Sequence, residues 1–430
     1  MHRVLFLGWE FYPVFTGGLG IVCSAMANEM AEQDLEVFVA LPSVPKEIRT
    51  TKLKFPNLQL NNISFSVKNN FISKEILDNL KFDSYSNFED YKISKFHKSS
   101  EELNFEEIRE LKIDGELYGA DLLEKVLIYK ELVKNFALDL EFDVVHAHDW
   151  MTFLAALEVR NVTGKKCVLH VHATEIDRTA DNPHELIFNI EKYVLNEADK
   201  VIAISEYIKN TLIERYGVDS SKIEVIHNAL SSEHTHDINY SLNISKGKTV
   251  MFLGRAVVQK GVETFIQIAK RVLEKLPDTT FIFAGDGPLL PYVIDKVCQL
   301  GIQDNVIFAG SVDRYEGDVL FSTADLYLMT SISEPFGITA LEAINQGTPV
   351  IITKTSGANE VLPNALKADF WDIDKFADFT VNILQDEILY EELLENQRKD
   401  FSKLTWKNQV EKMIGIYSTL INSYEDNSIV

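Results

Sequence analysis

The sequence predicts an α/β protein of two doubly wound domains, each a parallel sheet covered on both faces by helices. Short β-branched runs alternate with amphipathic helical patterns, the signature of parallel sheets buried on both sides. The alternation runs through the chain twice, with a polar, weakly periodic stretch between the two series. At 430 residues the chain also exceeds what one ordinary core accommodates.

In the first series, strands are expected over residues 4–7, 36–40, 144–146, 167–171, 201–204 and 223–226, each a short run rich in Val, Ile, Leu and Phe. Helical periodicity falls over residues 20–33, 120–136 and 185–197. Residues 43–116, rich in Asn, Lys, Ser and Phe, break this rhythm. They read as an irregular insertion with one strand near 63–67. The polar segment after Ser231 reads as a linker. The second series places strands at 250–253, 280–283, 306–308, 326–329 and 350–352, with helices over 261–276 and 289–300. A final helix over 405–424 carries Val410, Met413, Ile414, Tyr417 and Leu420. The resulting domains are 1–235, joined by 408–430, and 244–407. Their strand ends are expected to face each other across a cleft, where such folds place their ligands.

Composition narrows the function. Forty-two Lys and Arg against 65 Asp and Glu give a net charge of −23, which disfavours nucleic acid and anionic membrane surfaces. No apolar run approaches the ~18 residues that cross a bilayer. The N-terminus, Met-His-Arg-Val-Leu-Phe-Leu-Gly, is too short for a signal peptide and reads as a strand. Cys23, Cys167 and Cys298 lie far apart in apolar stretches, as expected of buried free thiols in a reducing compartment. The expected location is the cytoplasm.

Five segments sit where a cleft would be, just after strands. Thr16-Gly17-Gly18-Leu19-Gly20 opens the first helix, and its glycines let backbone N–H groups approach phosphate oxygens. His146-Ala147-His148-Asp149-Trp150 ends the third strand, with His146 and His148 on one face. Two histidines and an Asp suggest zinc, but no third ligand stands at metal-site spacing, so no metal is expected. His170-Val171-His172-Ala173-Thr174-Glu175-Ile176-Asp177-Arg178 ends the next strand in the same polar way. Gly254-Arg255-Ala256-Val257-Val258-Gln259-Lys260-Gly261 follows the first strand of the second series. Two cations at a helix start oppose the macrodipole, so Arg255 and Lys260 are the chain's best phosphate-binding pair. Ser333-Glu334-Pro335-Phe336-Gly337-Ile338-Thr339-Ala340-Leu341-Glu342 places two carboxylates around a glycine turn that opens a helix. These carboxylates fit either ligand positioning or an ordinary dipole partner and a solvated side chain.

In combination, Gly-Gly-Leu-Gly, His-Ala-His-Asp-Trp, Gly-Arg-x4-Lys-Gly, Gly-Asp-Gly-Pro and Glu-Pro-Phe-Gly-x4-Glu occur in an order that resembles the retaining glycosyltransferases of the GT-B fold. The nearest kin look like glycosyltransferase family 4 with the glycogen and starch synthases. That resemblance implies two Rossmann-like domains, an N-terminal acceptor-side domain and a C-terminal nucleotide-sugar-binding domain, with the last helix crossing the hinge. It implies transfer of a hexosyl unit from a UDP-, ADP- or GDP-linked donor, with no metal and no permanently bound cofactor.

By resemblance, Arg255 and Lys260 neutralise the leaving diphosphate, and the loop of Gly17 and Gly18 closes over it. Glu342 holds the ribose and Glu334 lies beside the donor sugar. The backbone of Phe336, Gly337, Ile338 and Thr339 follows the sugar and phosphates. His148 stands at the reacting face, with His146 as the alternative, and Val312 lies near the base. Glycogen and starch synthases carry Lys before Thr-Gly-Gly-Leu where this chain has Phe15, which leaves the donor base open. A soluble glucan or sugar is the expected acceptor. A mannosyl- or hexosyltransferase acting on a lipid-linked or surface-polysaccharide acceptor is the second reading, and a non-catalytic nucleotide-sugar binder the third.

Overall fold

Fully buried runs such as Val4-Leu5-Phe6-Leu7 set the architecture, because a strand apolar on both faces must be covered on both. The computed structural model describes residues 2–13, 17–42, 53–55, 122–230, 238 and 247–427. The expected strand near 63–67, most of the insertion around it, and all of the linker except residue 238 lie outside the described residues.

Six strands, β1 (Arg3–Leu7), β2 (Glu36–Ala40), β3 (Val144–His148), β4 (Lys166–Val171), β5 (Lys200–Ala203) and β6 (Ile223–Val225), form a first parallel sheet. Their order is β2-β1-β3-β4-β5-β6. Helices α1 (Gly18–Glu32), α2 (Leu122–Leu138), α3 (Trp150–Thr163), the single turn α4 (Glu175–Arg178), α5 (Glu185–Glu197) and α6 (Glu206–Glu214) belong to this half.

A second parallel sheet holds β7 (Thr249–Leu253), β8 (Thr280–Ala284), β9 (Val306–Gly310), β10 (Leu326–Met329), β11 (Val350–Thr353) and β12 (Leu366–Ala368), in the order β12-β11-β10-β7-β8-β9. With it come α7 (Val262–Leu273), α8 (Leu290–Gln299), α9 (Arg314–Thr323), α10 (Ile338–Asn345), α11 (Ile373–Gln385) and α12 (Glu387–Phe401). The last helix, α13 (Trp406–Asn427), returns to the first half. It packs on α1, and the Tyr417 hydroxyl meets His146 Nδ1 at 2.6 Å.

In each sheet the direction of strand addition reverses once, between β1 and β3 and between β7 and β10. The crevice outside the strand ends at such a reversal is where open α/β sheets hold ligands. Buried apolar residues run continuously from the first sheet to Met329, Phe336, Ala340 and Ala358 of the second half, so the halves share packing.

Three details depart from expectation. The edge strand β12, Leu-Lys-Ala, is too short and too little β-branched to be read alone; pairing with β11 creates it. Gly261 is not helical but caps α7 at φ +62°. Cys298 is exposed rather than buried. Helix α8 buries Val293 and Val297, and the next residue turns about 100° away toward solvent.

Candidate functional site

The loop after β7 is tied to the turn after β8 by backbone alone. Gly254 N–H donates to Ala284 O at 3.0 Å, and Ala256 N–H to Asp286 O at 2.8 Å. Gly285, at φ +136°, lies so close to Gly254 that a Cβ would stand 1.9 Å from its carbonyl oxygen. The loop ends in the turn Val258–Lys260 and then Gly261, where a Cβ would stand 2.0 Å from Thr330 O. The exits of β7 and β10 are thereby pressed together at the reversal point. Lys260 Nζ reaches Glu334 Oε2 at 2.6 Å, and Ser331 Oγ donates to the same oxygen at 2.8 Å. Glu334 is nearly buried, whereas Arg255 is exposed and makes no ion pair among the described residues.

Glu334 leads straight to the start of α10. Gly337 caps that helix at φ +98° without a side-chain bond to its first turn, and Ala340 N–H donates to Gly337 O at 3.1 Å, so the N–H groups of Ile338 and Thr339 are the ones that can meet an anion. Phe336 is buried there, with its ring 6.1 Å from that of His227. Tyr327 donates its hydroxyl to Thr339 Oγ1 at 2.9 Å.

One turn into α10, Glu342 is buried and paired with Arg314 at the start of α9. Burial pushes the Glu342 carboxyl up, Arg314 opposes this, and Asp318 adds to it. Arg314 was not foreseen. The only local signal is the capping box of Asp313 and Glu316, which marks a helix start around it. Val312 follows β9 at the sheet edge and packs against the core.

From the first half, Gly17 caps α1 and Gly18 begins it. A Cβ on Gly18 would lie 4.0 Å from Ile338 Cγ2, so the glycine loop faces the start of α10. Phe15 and Thr16 lie outside the described residues. The two reversal points therefore confront each other.

Behind them His146 and His148 of β3 and His170 of β4 stack with His172 just past β4, and His148 stands opposite His170 in register. His148 is fully buried and its Nδ1 lies 3.0 Å from His172 Nε2. Burial first, then neighbouring imidazoles, hold His148 and His170 well below the usual histidine range, and His146 at about 3. Neutral rings of this kind have lone pairs free for metal. One ring nitrogen each from His146, His148 and His170 lie within 4.8 Å of one another, as do atoms of Cys23, His148 and His172. In either set the third donor, which sequence spacing did not offer, would come from a neighbouring strand or from α1.

Asp149 adopts φ +57°, a strained value for a non-glycine residue. Its carboxylate compensates by accepting His172 N–H at 2.7 Å and Arg178 Nη2 at 3.1 Å. Arg178 also meets Glu191 at 3.0 Å.

The halves are bonded directly beside this site. Ser205 Oγ donates to Pro335 O at 2.7 Å. The backbone N–H groups of Glu206 and Tyr207 donate to the two carboxylate oxygens of Glu360, at 2.9 and 3.1 Å. His227 Nε2 lies 2.7 Å from the same carboxylate. The Tyr207 hydroxyl, Ser333 Oγ and Asp177 Oδ1 form a three-way contact of 2.8 to 3.1 Å.

Residues 101–234 match the family model for Glycosyltransferase Family 4, and residues 236–400 that for Glycosyl transferases group 1. An uncharacterized glycosyltransferase of Methanocaldococcus jannaschii is 29% identical over 296 residues, 64% of this chain and 75% of that protein. A glycogen synthase of Mycobacterium tuberculosis is 28% identical over 230 residues, 52% of this chain and 54% of that one. Among solved structures, sucrose-phosphate synthase from Thermosynechococcus elongatus superimposes with a TM-score of 0.73 at 17% identity, over 98% of this chain and 100% of that one. Among the described residues, no helix is long and apolar enough to cross a membrane.

Proposed function

The chain is a glycosyltransferase with a Family 4 domain followed by a group 1 domain on the GT-B fold, and from that premise we propose that it moves a hexosyl unit, glucose in the first instance, from a nucleotide-sugar to a hydroxyl of a soluble glucan or sugar. The observation that carries this reading is the contact of Lys260 with Glu334 at one reversal point, opposite the glycine loop at the other. The similarity to a glycogen synthase supports a glucan acceptor.

In this reading Arg255, Lys260 and the first N–H groups of α10 receive the diphosphate, and Gly17 and Gly18 close over it from the other half. The backbone of Phe336, Gly337, Ile338 and Thr339 runs along the sugar and phosphates. Glu342 accepts hydrogen bonds from the ribose hydroxyls, with Arg314 holding its carboxylate ionised against burial. Glu334 orients the donor sugar, His148 and its partner His172 lie at the reacting face, and Val312 lies near the base.

The reaction retains anomeric configuration. The bond from C1 to the phosphate oxygen breaks on the face where the acceptor oxygen bonds to C1, and the acceptor's proton passes to the departing diphosphate. Charge builds on that diphosphate, so cations fixed around it dominate catalysis. No metal takes part in this step.

The test is a panel of UDP-, ADP- and GDP-linked glucose and mannose, offered with glycogen, short glucans, free sugars and extracted lipids. Transfer to a glucan or sugar, with the α-anomer of both donor and product seen by NMR, is the expected outcome. Transfer to lipid alone would replace the acceptor, and saturable binding without transfer would make the protein a nucleotide-sugar binder.

A further inference from the structure

We propose that Tyr207, with Asp177 and Ser333, positions Glu334: the phenol joins the first half to the loop that carries this carboxylate and fixes the loop when the halves meet. The inference rests on the reading of Lys260 and Glu334 as donor-site groups.

Tyr207 lies in the first turn of α6, within the first half, yet both its ends touch the second. Its N–H donates to Glu360 Oε1, and its hydroxyl lies 2.8 Å from Ser333 Oγ and 3.1 Å from Asp177 Oδ1. Ser333 Oγ is itself 2.9 Å from Asp177 Oδ1. Two hydroxyl protons serve three contacts, so they run as one chain that ends on the carboxylate, through Ser333 or through Tyr207. The other Asp177 oxygen accepts from Thr174 N–H and Oγ1, at 2.9 and 2.7 Å. The acceptor is therefore locked to the first half. Burial foremost, and Asp177 next, push the Tyr207 hydroxyl up to about 12, so it keeps its proton.

Two residues before Tyr207, Ser205 Oγ grips Pro335 O at 2.7 Å while its own oxygen caps α6 through Ile208 N–H. Glu334 is thus flanked on both sides, at Ser333 and at Pro335, by bonds from the opposite half. Its own side chain points back to Lys260 and Ser331 of the second half. Separation of the halves releases both flanks at once. The Glu334 backbone itself is bonded within the second half, N–H to Thr355 O at 3.1 Å and carbonyl to Gly357 N–H at 2.9 Å. Contact between the halves therefore sets the loop at its two flanks, whereas Arg255 is bonded to the first half nowhere among the described residues. A supporting shell of this kind governs how accurately a first contact is aimed, and a misplacement of about 1 Å can cost up to a hundredfold in rate.

The test uses the full chain and the best donor of the panel above. Tyr207→Phe and Ser333→Ala should each lower kcat roughly tenfold or more. Affinity for free UDP, ADP or GDP by calorimetry should stay within about twofold, because diphosphate contacts lie elsewhere. The double variant should be no slower than the slower single one, since the residues act as one network. Unchanged kcat in folded Tyr207→Phe, additive losses, or nucleotide affinity that falls in step with kcat would each overturn the proposal. Lys260→Ala separates the two readings. If it abolishes turnover while Tyr207→Phe leaves kcat unchanged, only the positioning role fails. If Lys260→Ala is fully active, or the wild type transfers from none of the donors, the underlying donor-site reading fails.

Discussion

Lys260 and Glu334 stand 74 positions apart in the chain and 2.6 Å apart in space, one at the exit of each strand beside the second sheet's reversal point. No regular element joins them. Gly261 packed on Thr330 brings the two loops close enough, and Ser331 steadies the carboxylate. A lysine so placed is neutralised without ligand and available to one.

Lys260→Ala should fold normally and lose turnover by orders of magnitude. Removal of one donor from a developing anion costs about 2–4 kcal/mol of barrier. Steady-state kcat, beside a thermal melt that confirms the fold, measures this. Near-normal turnover in a folded variant would remove Lys260 from the mechanism.

Arg314→Ala should be destabilised more than any active-site exchange at the surface, because it leaves the Glu342 carboxylate buried without its cation. Loss of one partner from a buried pair costs about 3–5 kcal/mol. Urea midpoints report it, and Glu342→Gln in the same chain should recover part of the loss. A single variant as stable as wild type would show that the pair is not doing this.

Acidification should destabilise the protein through its histidine stack. His146, His148, His170 and His172 are held below their ordinary value, chiefly by burial, so the folded chain resists protons that the unfolded chain accepts below about pH 6.5. Their contribution is present above that value and is lost as the pH falls. Glu191 acts in the opposite sense: burial against Arg178 pushes it up to about 7, so its contribution is present at low pH and is lost as the pH rises toward 7. Glu175 and Glu342, also pushed up by burial, act with Glu191; four imidazoles outweigh these three carboxyls, and net stability should fall from pH 6.5 to 4.5. His170→Leu removes a ring whose two nitrogens have no hydrogen-bond partner among the described residues, and it should flatten that slope by one proton, about 1.4 kcal/mol per pH unit. Parallel slopes in denaturant titrations at pH 4.5 to 7 would refute this.

Strands were legible in the sequence wherever a β-branched run is buried on both faces, as at Val4 or Val350. They were not legible where the sheet edge alone makes them, as at Leu366. The glycine loops could be read because the need for close backbone approach is written in one residue type. What local reading could not supply were partners: Arg314 for Glu342, Ser331 for Glu334, and His170 and Cys23 around His148. Each lies on another element and is brought near only by the sheet. Cys298 shows the same limit on a small scale, since an apolar neighbourhood in sequence is not one in space.

The return of α13 to the first half has a consequence for biosynthesis. Its cover over α1 and its Tyr417 contact with His146 come from residues translated after the whole second sheet. As the chain emerges, the first half is made early but α1 and His146 lack this cover until the end, so that patch is the part most in need of protection on the ribosome. The two halves mature together, however early the first is synthesised.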